Sequence, residues 1–72
     1  NALDMVSVLY HRAVAWGKKK NSVASIICGE ISYRIYQNQA NDIPYLSHLL
    51  LTLSAAYAEA KDDEKAAIYS RK

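Results

Sequence analysis

Residues 26–36 read IICGEISYRIY, and this stretch decides between two folds. In a hairpin, Gly29 and Glu30 would form a two-residue turn between β-branched runs, since glycine can take the first central position of a type II′ turn. The first arm of that hairpin, residues 22–28, alternates poorly between apolar and polar side chains. A two-stranded hairpin is also marginal by itself, and no other segment of the sequence predicts a partner strand.

The same stretch fits a helix. Aliphatic side chains recur every four residues, at Val23, Ile27, Ile31 and Ile35. This spacing places them along one side of a helix, although Gly29 costs a helix about 1 kcal/mol relative to alanine. We therefore predict a helix over residues 22–38 with its buried face centred on Ile27 and Ile31. Gly29 has no assigned role in this helix, and a close crossing by another helix is one explanation of it.

Glu30 and Arg34 fall on the same side of this predicted helix as the isoleucines. A glutamate four residues before an arginine is the favourable order for a helical ion pair, which contributes about 0.3–0.5 kcal/mol when exposed. We interpret the two residues as an ion pair at the rim of the buried face. The alternative, a buried pair that fixes the helix register or a partner, is disfavoured because burying charges is costly.

Helices are predicted on both sides of this stretch. Before it, residues 2–16 carry apolar side chains at spacings of three and four, with Asn1 as a cap and Gly17 as the C-terminal stop. After it, Asp42 is a predicted N-cap and Pro44 is tolerated in the first turn of a helix that begins at Ile43. The apolar arc of this helix contains Leu46, Leu49, Leu50, Leu53, Tyr57 and Ala60. Leu51 points away from the arc, which suggests a second contact surface.

Residues 61–72 leave two alternatives open. Asp62, Asp63 and Glu64 could begin a separate short helix, because acidic side chains are favourable at a helix N-terminus. Alternatively, the preceding helix continues as a C-terminal tail, since Ile68 keeps its apolar phase. In both cases residues 1–72 are predicted to be one all-α domain, a small antiparallel bundle of three or four helices.

The composition limits the size of the core and the class of partner. The chain has 72 residues, 51% of them apolar, and no phenylalanine. A core this small stabilises a monomer only slightly, so burial against another chain, including a second copy, is expected. Residues 1–36 hold five cations and two acids, a net charge of +3, and residues 37–72 hold four cations and five acids, a net charge of −1. The total of +2 is too small to indicate a polyanion partner.

The compartment is predicted from cysteine usage and hydropathy. Cys28 is the single cysteine and cannot form an internal disulfide, which favours a reducing compartment. No signal peptide is recognisable. The uncharged run of residues 43–58 is too short and too polar to span a bilayer. A cytoplasmic protein without a transmembrane segment is therefore expected.

The residues that could support catalysis are few. Ser7 and His11 share a helix face, but no acid or oxyanion-hole motif accompanies them. Cys28 lacks an activating base and is interpreted as a small buried side chain. His48 falls on the polar side of its helix. We therefore predict no enzyme, no catalytic residues, no cofactor and no metal.

A short basic patch is formed by Arg12, Lys18, Lys19 and Lys20. These residues could contact phosphates in a small DNA-associated regulator. Lysines at a helix end more often complement the helix dipole. The following helix would also present isoleucine, cysteine and tyrosine rather than polar side chains that read bases. Nucleic-acid binding is therefore the less favoured function.

Residues 22–57 resemble the immunity proteins of class IIa (pediocin-like, enterocin A type) bacteriocins. The similarity lies in Ile27, Ile31, Tyr33, Tyr36, Asn38, Tyr45, Leu49, Leu53 and Ser54, and in the length of the polar loop between the two helices. The resemblance implies a small cytosolic antiparallel four-helix bundle whose second helix would be Ala2–Trp16. A bundle without the family's first helix would expose surface of the Val6 and Leu9 type, unless that helix exists or another chain covers the surface.

The resemblance also implies a function. Such proteins protect a bacterium from a pore-forming peptide by associating, at the inner face of the membrane, with the mannose-type sugar permease that serves as the toxin receptor. The C-terminal half sets which toxin is countered. Carried over to this sequence, partner binding would fall to Lys61, Lys65, Tyr69, Arg71 and Lys72. An oligomerisation module is a third hypothesis.

Overall fold

The computed structural model describes residues 2–39 and 43–72, with the backbone alone for residues 2 and 3. The described residues form four helices: α1 (Ala2–Lys18), α2 (Ser22–Gln37), α3 (Leu46–Glu59) and α4 (Asp63–Ser70). They contain no strand, so the all-α bundle is confirmed and the hairpin alternative is excluded. The predicted caps Asn1 and Asp42 lie outside the described residues.

The turn between α1 and α2 is a Schellman motif, and α1 continues through Gly17 rather than ending there. The Asn21 N–H donates to the Trp16 carbonyl (3.0 Å), and the Lys20 N–H donates to the Gly17 carbonyl (3.1 Å). The left-handed position is held by Lys20, with φ of 62°, and not by glycine. Asn21 then caps α2, because its side chain accepts a hydrogen bond from the Ala24 N–H.

The turn between α3 and α4 repeats this arrangement and settles the alternatives for the C-terminus. Lys61 takes the left-handed conformation, with φ of 67°. The Asp62 N–H donates to the Tyr57 carbonyl (2.8 Å). The Asp62 side chain accepts from the Lys65 N–H (3.2 Å) and so caps the next helix. Residues 61–72 therefore contain a separate short helix rather than an extension of α3.

α3 begins at Leu46, three residues later than predicted. Pro44 lies in the turn before the helix and not in its first turn. Proline disfavours the helical conformation of the residue that precedes it, which here is Ile43. Ile43 is nevertheless buried, and it packs into the core.

The core is small and is formed mostly by α3. Leu49, Leu53 and Val6 are fully buried. Leu50 and Tyr57 are nearly so, as predicted, whereas Leu46 of the predicted arc is half-buried and Ala60 is exposed. The radius of gyration, 11.2 Å, matches the value of about 11 Å for a folded chain of this length. The four described helices therefore pack into a compact bundle despite the limited core.

The buried face of α2 differs from the prediction. Its buried residues are Ser25, Gly29 and Ser32, whereas Ile27 and Ile31 are 54% and 46% exposed. Because small side chains let helix backbones approach closely, α1 and α3 pack against the side of α2 that has the least side-chain volume. The prediction of a buried face centred on the isoleucines is wrong.

Two serine hydroxyls join α1 to α2 inside the bundle. Ser25 Oγ donates to the Ala13 carbonyl (2.8 Å), and Ser32 Oγ donates to the Val6 carbonyl (2.8 Å). Both serines are fully buried, and a buried hydroxyl is costly unless it is hydrogen-bonded. The two bonds also set the register of α1 and α2, which run antiparallel.

Gly29 lies where α2 meets α3. A Cβ atom at this position would lie 2.7 Å from Cδ2 and 3.0 Å from Cγ of Leu53. Leu53 is fully buried and has little room to move. Only glycine fits this crossing without a shift of the neighbouring helix, which explains its place in the middle of α2.

Candidate functional site

The solvent-facing side of α2 is mainly aliphatic. Its exposed residues are Val23, Ile27, Ile31, Arg34 and Gln37. All except Gln37 fall within an arc of about 80° at 100° per residue. Scattered exposed hydrophobic side chains are normal on a protein surface, but a continuous row marks an interaction surface. The row on α2 is therefore a candidate site.

α1 extends this row. Its exposed Met5, Val8, Arg12 and Trp16 lie on the flank turned away from α3, since Tyr10 of α1 contacts His48 of α3 from the other side. The antiparallel register set by the two serine bonds brings this flank to the same side of the helix pair as the α2 row. We call the combined surface the hairpin face; it consists of Met5, Val8, Arg12, Trp16, Val23, Ile27, Ile31 and Arg34.

The resemblance implied exposed surface of the Val6 and Leu9 type, and this expectation is wrong for both residues. Val6 is fully buried and Leu9 is half-buried. Their chain neighbours Met5 and Val8 are exposed instead. The side of α1 that carries Val6 therefore packs into the bundle, whereas the adjacent side, which carries Met5 and Val8, faces solvent.

The hairpin face is electropositive. Arg12 and Arg34 are exposed on it, and Lys19 Nζ lies 5.5 Å from the centre of the Trp16 ring. Residues 2–39 contain only two acids, Asp4 and Glu30. Glu30 is directed to the other side of α2, toward α4. The face therefore combines aliphatic side chains with cations, and the exposed Asp4 at its edge offsets one of the positive charges.

The predicted basic patch does not form one cluster. Arg12 and Lys18 are six residues apart, about 120° around the axis of α1. Lys18 and Lys20 line a groove of about 340 Å³ between α1 and α3, and Glu59 lines the same groove. Lys19 instead packs on Trp16. The four cations therefore do not share one surface. Two of them, Lys18 and Lys20, line the groove that Glu59 also lines.

α4 is held in place by tyrosines. The Tyr69 hydroxyl donates a hydrogen bond to the Glu30 carboxylate. The Tyr69 ring stacks on Tyr57, with centres 5.6 Å apart and planes at 7°, and meets Tyr33 edge-on at 5.8 Å. None of residues 63–70, all of them described, is fully buried. The predicted pairing of Glu30 with Arg34 is thus replaced by a contact between α2 and α4.

The same contacts change the acidity of two tyrosines. Burial raises the pKa of Tyr57 to about 12, and the nearby negative charge of Glu30 adds to the shift. Burial, followed by the hydrogen bond to Glu30, also raises the pKa of Tyr69 above its ordinary value. Both side chains are therefore neutral hydroxyls at physiological pH.

The residues predicted to bind a partner are distributed over α4 and its ends. Lys65 and Lys72 place their Nζ atoms 5.6 Å and 5.8 Å from the rings of Tyr57 and Tyr33. Lys61 forms the preceding turn, Arg71 caps the helix, and both side chains are exposed. Tyr69 is partly buried and anchors the helix. The four cations therefore lie along α4 and at its two ends, on a helix that Tyr69 anchors.

The candidate catalytic residues contact their own neighbours. His11 Nδ1 donates to the backbone carbonyl of Ser7 (2.8 Å), so the Ser7 hydroxyl is not the partner of this imidazole. Nδ1 of His48 is hydrogen-bonded to the Tyr10 hydroxyl. Cys28 is a half-buried free thiol rather than a fully buried one. Among the described residues, no three His, Cys, Asp or Glu side chains are grouped as metal ligands would be.

Comparison with known proteins identifies no relative of this chain. No family model matches this chain, and neither the search of curated proteins nor the search of solved structures finds a significant match. Within residues 2–39 and 43–72, no helix has the length and apolar character needed to cross a membrane.

Proposed function

We propose that this chain is a non-enzymatic immunity protein of the class IIa bacteriocin type. In this proposal it protects a bacterium from a pore-forming peptide by associating, from the cytosolic side, with the permease that the toxin uses as its receptor. The proposal rests on the resemblance of residues 22–57, and the four-helix all-α fold is compatible with it.

The observation that supports a binding function best is the exposure of Ile27 and Ile31. Both residues are among those that carry the resemblance, and both face solvent on α2. Each half-exposed isoleucine leaves apolar area in water that a partner could cover at a gain of about 25 cal/mol per Å². A protein that acts by association gains from such a surface.

Recognition of the toxin complex is assigned to the end of the bundle around α4. Arg71 and Lys61 are exposed there, and Lys65 and Lys72 lie over tyrosine rings. Tyr69 fixes the helix to α2 and α3 through Glu30 and Tyr57. A fixed helix presents its cations in one arrangement, which lowers the entropy lost on binding.

The decisive experiment is expression of the chain in a strain sensitive to class IIa bacteriocins. We expect survival to rise for at least one peptide of a panel, compared with cells carrying the empty vector. Unchanged killing across the whole panel would refute the proposal. A protein gel of the cell extract shows whether the chain was present when killing was measured.

Removing residues 61–72 is a poor test of the recognition region. The deletion would also remove Tyr69 from its contacts with Glu30 and Tyr57 and would destabilise the bundle. Charge variants that retain Tyr69 are more informative. Arg71→Gln with Lys72→Gln should reduce protection, whereas Lys18→Gln with Lys20→Gln, at the turn between α1 and α2, should not.

An oligomerisation module is the second candidate, because the exposed row on α2 could equally be covered by another copy. Sedimentation equilibrium distinguishes the two functions. A stable dimer whose association is lost on substitution of Ile27, together with the absence of toxin protection, would favour assembly over immunity.

A further inference from the structure

The exposed hydrophobic residues of this chain are concentrated on one side. In the described part of the chain, eight large apolar side chains are exposed, and six of them belong to α1 and α2: Met5, Val8, Trp16, Val23, Ile27 and Ile31. The remaining two, Leu51 and Ile68, lie on α3 and α4. All six are part of the hairpin face, which is therefore the main apolar surface of the molecule.

The cations of the hairpin face lie between its apolar side chains. Arg12 is four residues from both Val8 and Trp16, so the three share one flank of α1. Arg34 lies three residues after Ile31 on α2, and Lys19 adds a third cation over the Trp16 ring. Asp4, which is exposed and lies four residues before Val8, is the one carboxylate beside the face within residues 2–39, because Glu30 is directed toward α4.

This charge pattern selects among the occupants of an apolar face. A second copy packed symmetrically would bring the three cations of each copy into one interface, with only one exposed carboxylate per copy, Asp4, beside them. Duplex DNA would neutralise the cations, but it would leave the central isoleucines against phosphates. An anionic bilayer offers both an apolar boundary and negatively charged headgroups. A tryptophan at the edge of the apolar region is also typical of residues at a membrane surface.

We propose that the hairpin face docks the protein on a bilayer that contains anionic phospholipid. The α1–α2 pair lies flat on the surface, with Ile27 and Ile31 at the level of the upper acyl chains and Arg12, Arg34 and Lys19 among the headgroup phosphates. The row from Val23 to Ile31 is about 12 Å long at 1.5 Å per residue. α4, with its exposed cations, remains on another side of the bundle and accessible. This inference goes beyond the immunity function and does not rest on it.

The sequence provides its own reporter, because Trp16 is the single tryptophan and lies on the hairpin face. The experiment adds vesicles of equimolar phosphatidylglycerol and phosphatidylcholine to the full chain and follows the tryptophan emission. We expect a saturable blue shift and quenching by lipids brominated on the acyl chains. Vesicles of phosphatidylcholine alone should produce little change, and added salt should weaken binding.

Matched variants locate the contact. Ile27→Ser with Ile31→Ser should abolish the blue shift, whereas Leu51→Ser with Ile68→Ser, which changes exposed aliphatic residues on α3 and α4, should leave it intact. Arg12→Gln and Arg34→Gln should each weaken binding about fivefold, because a cation near an anionic surface contributes about that factor. Arg71→Gln is the control for charge. Circular dichroism verifies that all variants remain helical.

Several outcomes would overturn the inference. They are the absence of a shift at low salt, an equal shift with neutral vesicles, or equal losses in the hairpin-face variants and their controls. Binding to duplex DNA or formation of a dimer, in each case without vesicle binding, would also overturn it. The two proposals fail separately: vesicle binding without toxin protection would refute only the immunity function, and protection without vesicle binding would refute only the membrane contact.

Discussion

The Tyr69 hydroxyl on α4 donates a hydrogen bond to the Glu30 carboxylate on α2, and the two residues are 39 positions apart in the sequence. This contact connects the last helix, which has no fully buried residue, to the middle of the bundle. Glu30 thus serves tertiary structure, whereas its spacing to Arg34 predicted a local pair. Four predictions follow from this contact and from the packing of α2.

Loss of the Tyr69 hydroxyl should loosen α4. Tyr69→Phe keeps the ring on Tyr57 but removes the donor, and we expect the free energy of unfolding to fall by about 1 kcal/mol. Urea unfolding followed by circular dichroism measures the change. Tyr45→Phe, whose ring stacks on Tyr10, is the matched control. A double-mutant cycle with Glu30→Ala should give a coupling of about 1 kcal/mol, and a coupling near zero would contradict the assignment.

High pH should destabilise the fold through the same tyrosines. Their folded pKa values lie above the ordinary value of about 10, with Tyr57 at about 12 and Tyr69 raised in the same direction. Above pH 10 the unfolded state therefore binds fewer protons than the folded state, and the free energy of unfolding decreases with pH. The stabilisation is complete below pH 10 and declines as the pH rises toward 12.

Tyrosinate absorbance tests this prediction directly. In the folded protein, part of the signal of the six tyrosines should appear only at higher pH, whereas in concentrated urea all six should titrate together. In Tyr57→Phe, the late part should become smaller. A single titration step for the folded protein, coincident with that in urea, would contradict the burial of these side chains.

The two glycines should respond to alanine with opposite signs. Gly29→Ala places a Cβ against Leu53, and overpacking of about 1–3 kcal/mol should exceed the gain in helix propensity of about 1 kcal/mol. Gly17→Ala, whose Cβ would lie 3.6 Å from Ser25 Oγ, should instead stabilise by up to about 1 kcal/mol. Thermal or urea unfolding compares the two. Stabilisation by both would mean that the crossing at Gly29 is not tight.

The buried serines should stabilise the fold for two reasons: their side chains are small, and their hydroxyls are hydrogen-bonded. Ser25→Ala and Ser32→Ala should each cost about 1 kcal/mol, because a buried hydrogen bond is lost. Ser25→Val and Ser32→Val should cost more, since the added carbons would push α1 away from α2. Ser70→Ala, which removes an exposed local bond to Ala67, is the control. Equal stability of the alanine and valine variants would show that α1 and α2 are not closely packed here.

The hairpin face was not predicted because α2 carries two rows of residues, and either row could form its buried side. Ile27 and Ile31 follow an aliphatic helical spacing, while Ser25, Gly29 and Ser32 follow a spacing of four and three on the opposite side. Hydrophobic periodicity favours the first row, and the structure buries the second. The signal that could have identified it was the glycine in mid-helix, which is costly unless another helix approaches closely.

The sequence by itself determined the first three helices, the extent of α2 to within a residue and the apolar side of α3. These depend on side-chain periodicity and on capping, which act over a few residues: Asn21 caps α2, and Leu49 and Leu53 fall on the predicted arc. Only the tertiary structure decided which side of α2 is buried, which partner Glu30 has and where α4 packs. The physical reason is that these outcomes depend on how closely distant helices approach, and Gly29, Ser25 and Ser32 allow that approach only once α1 and α3 are in place.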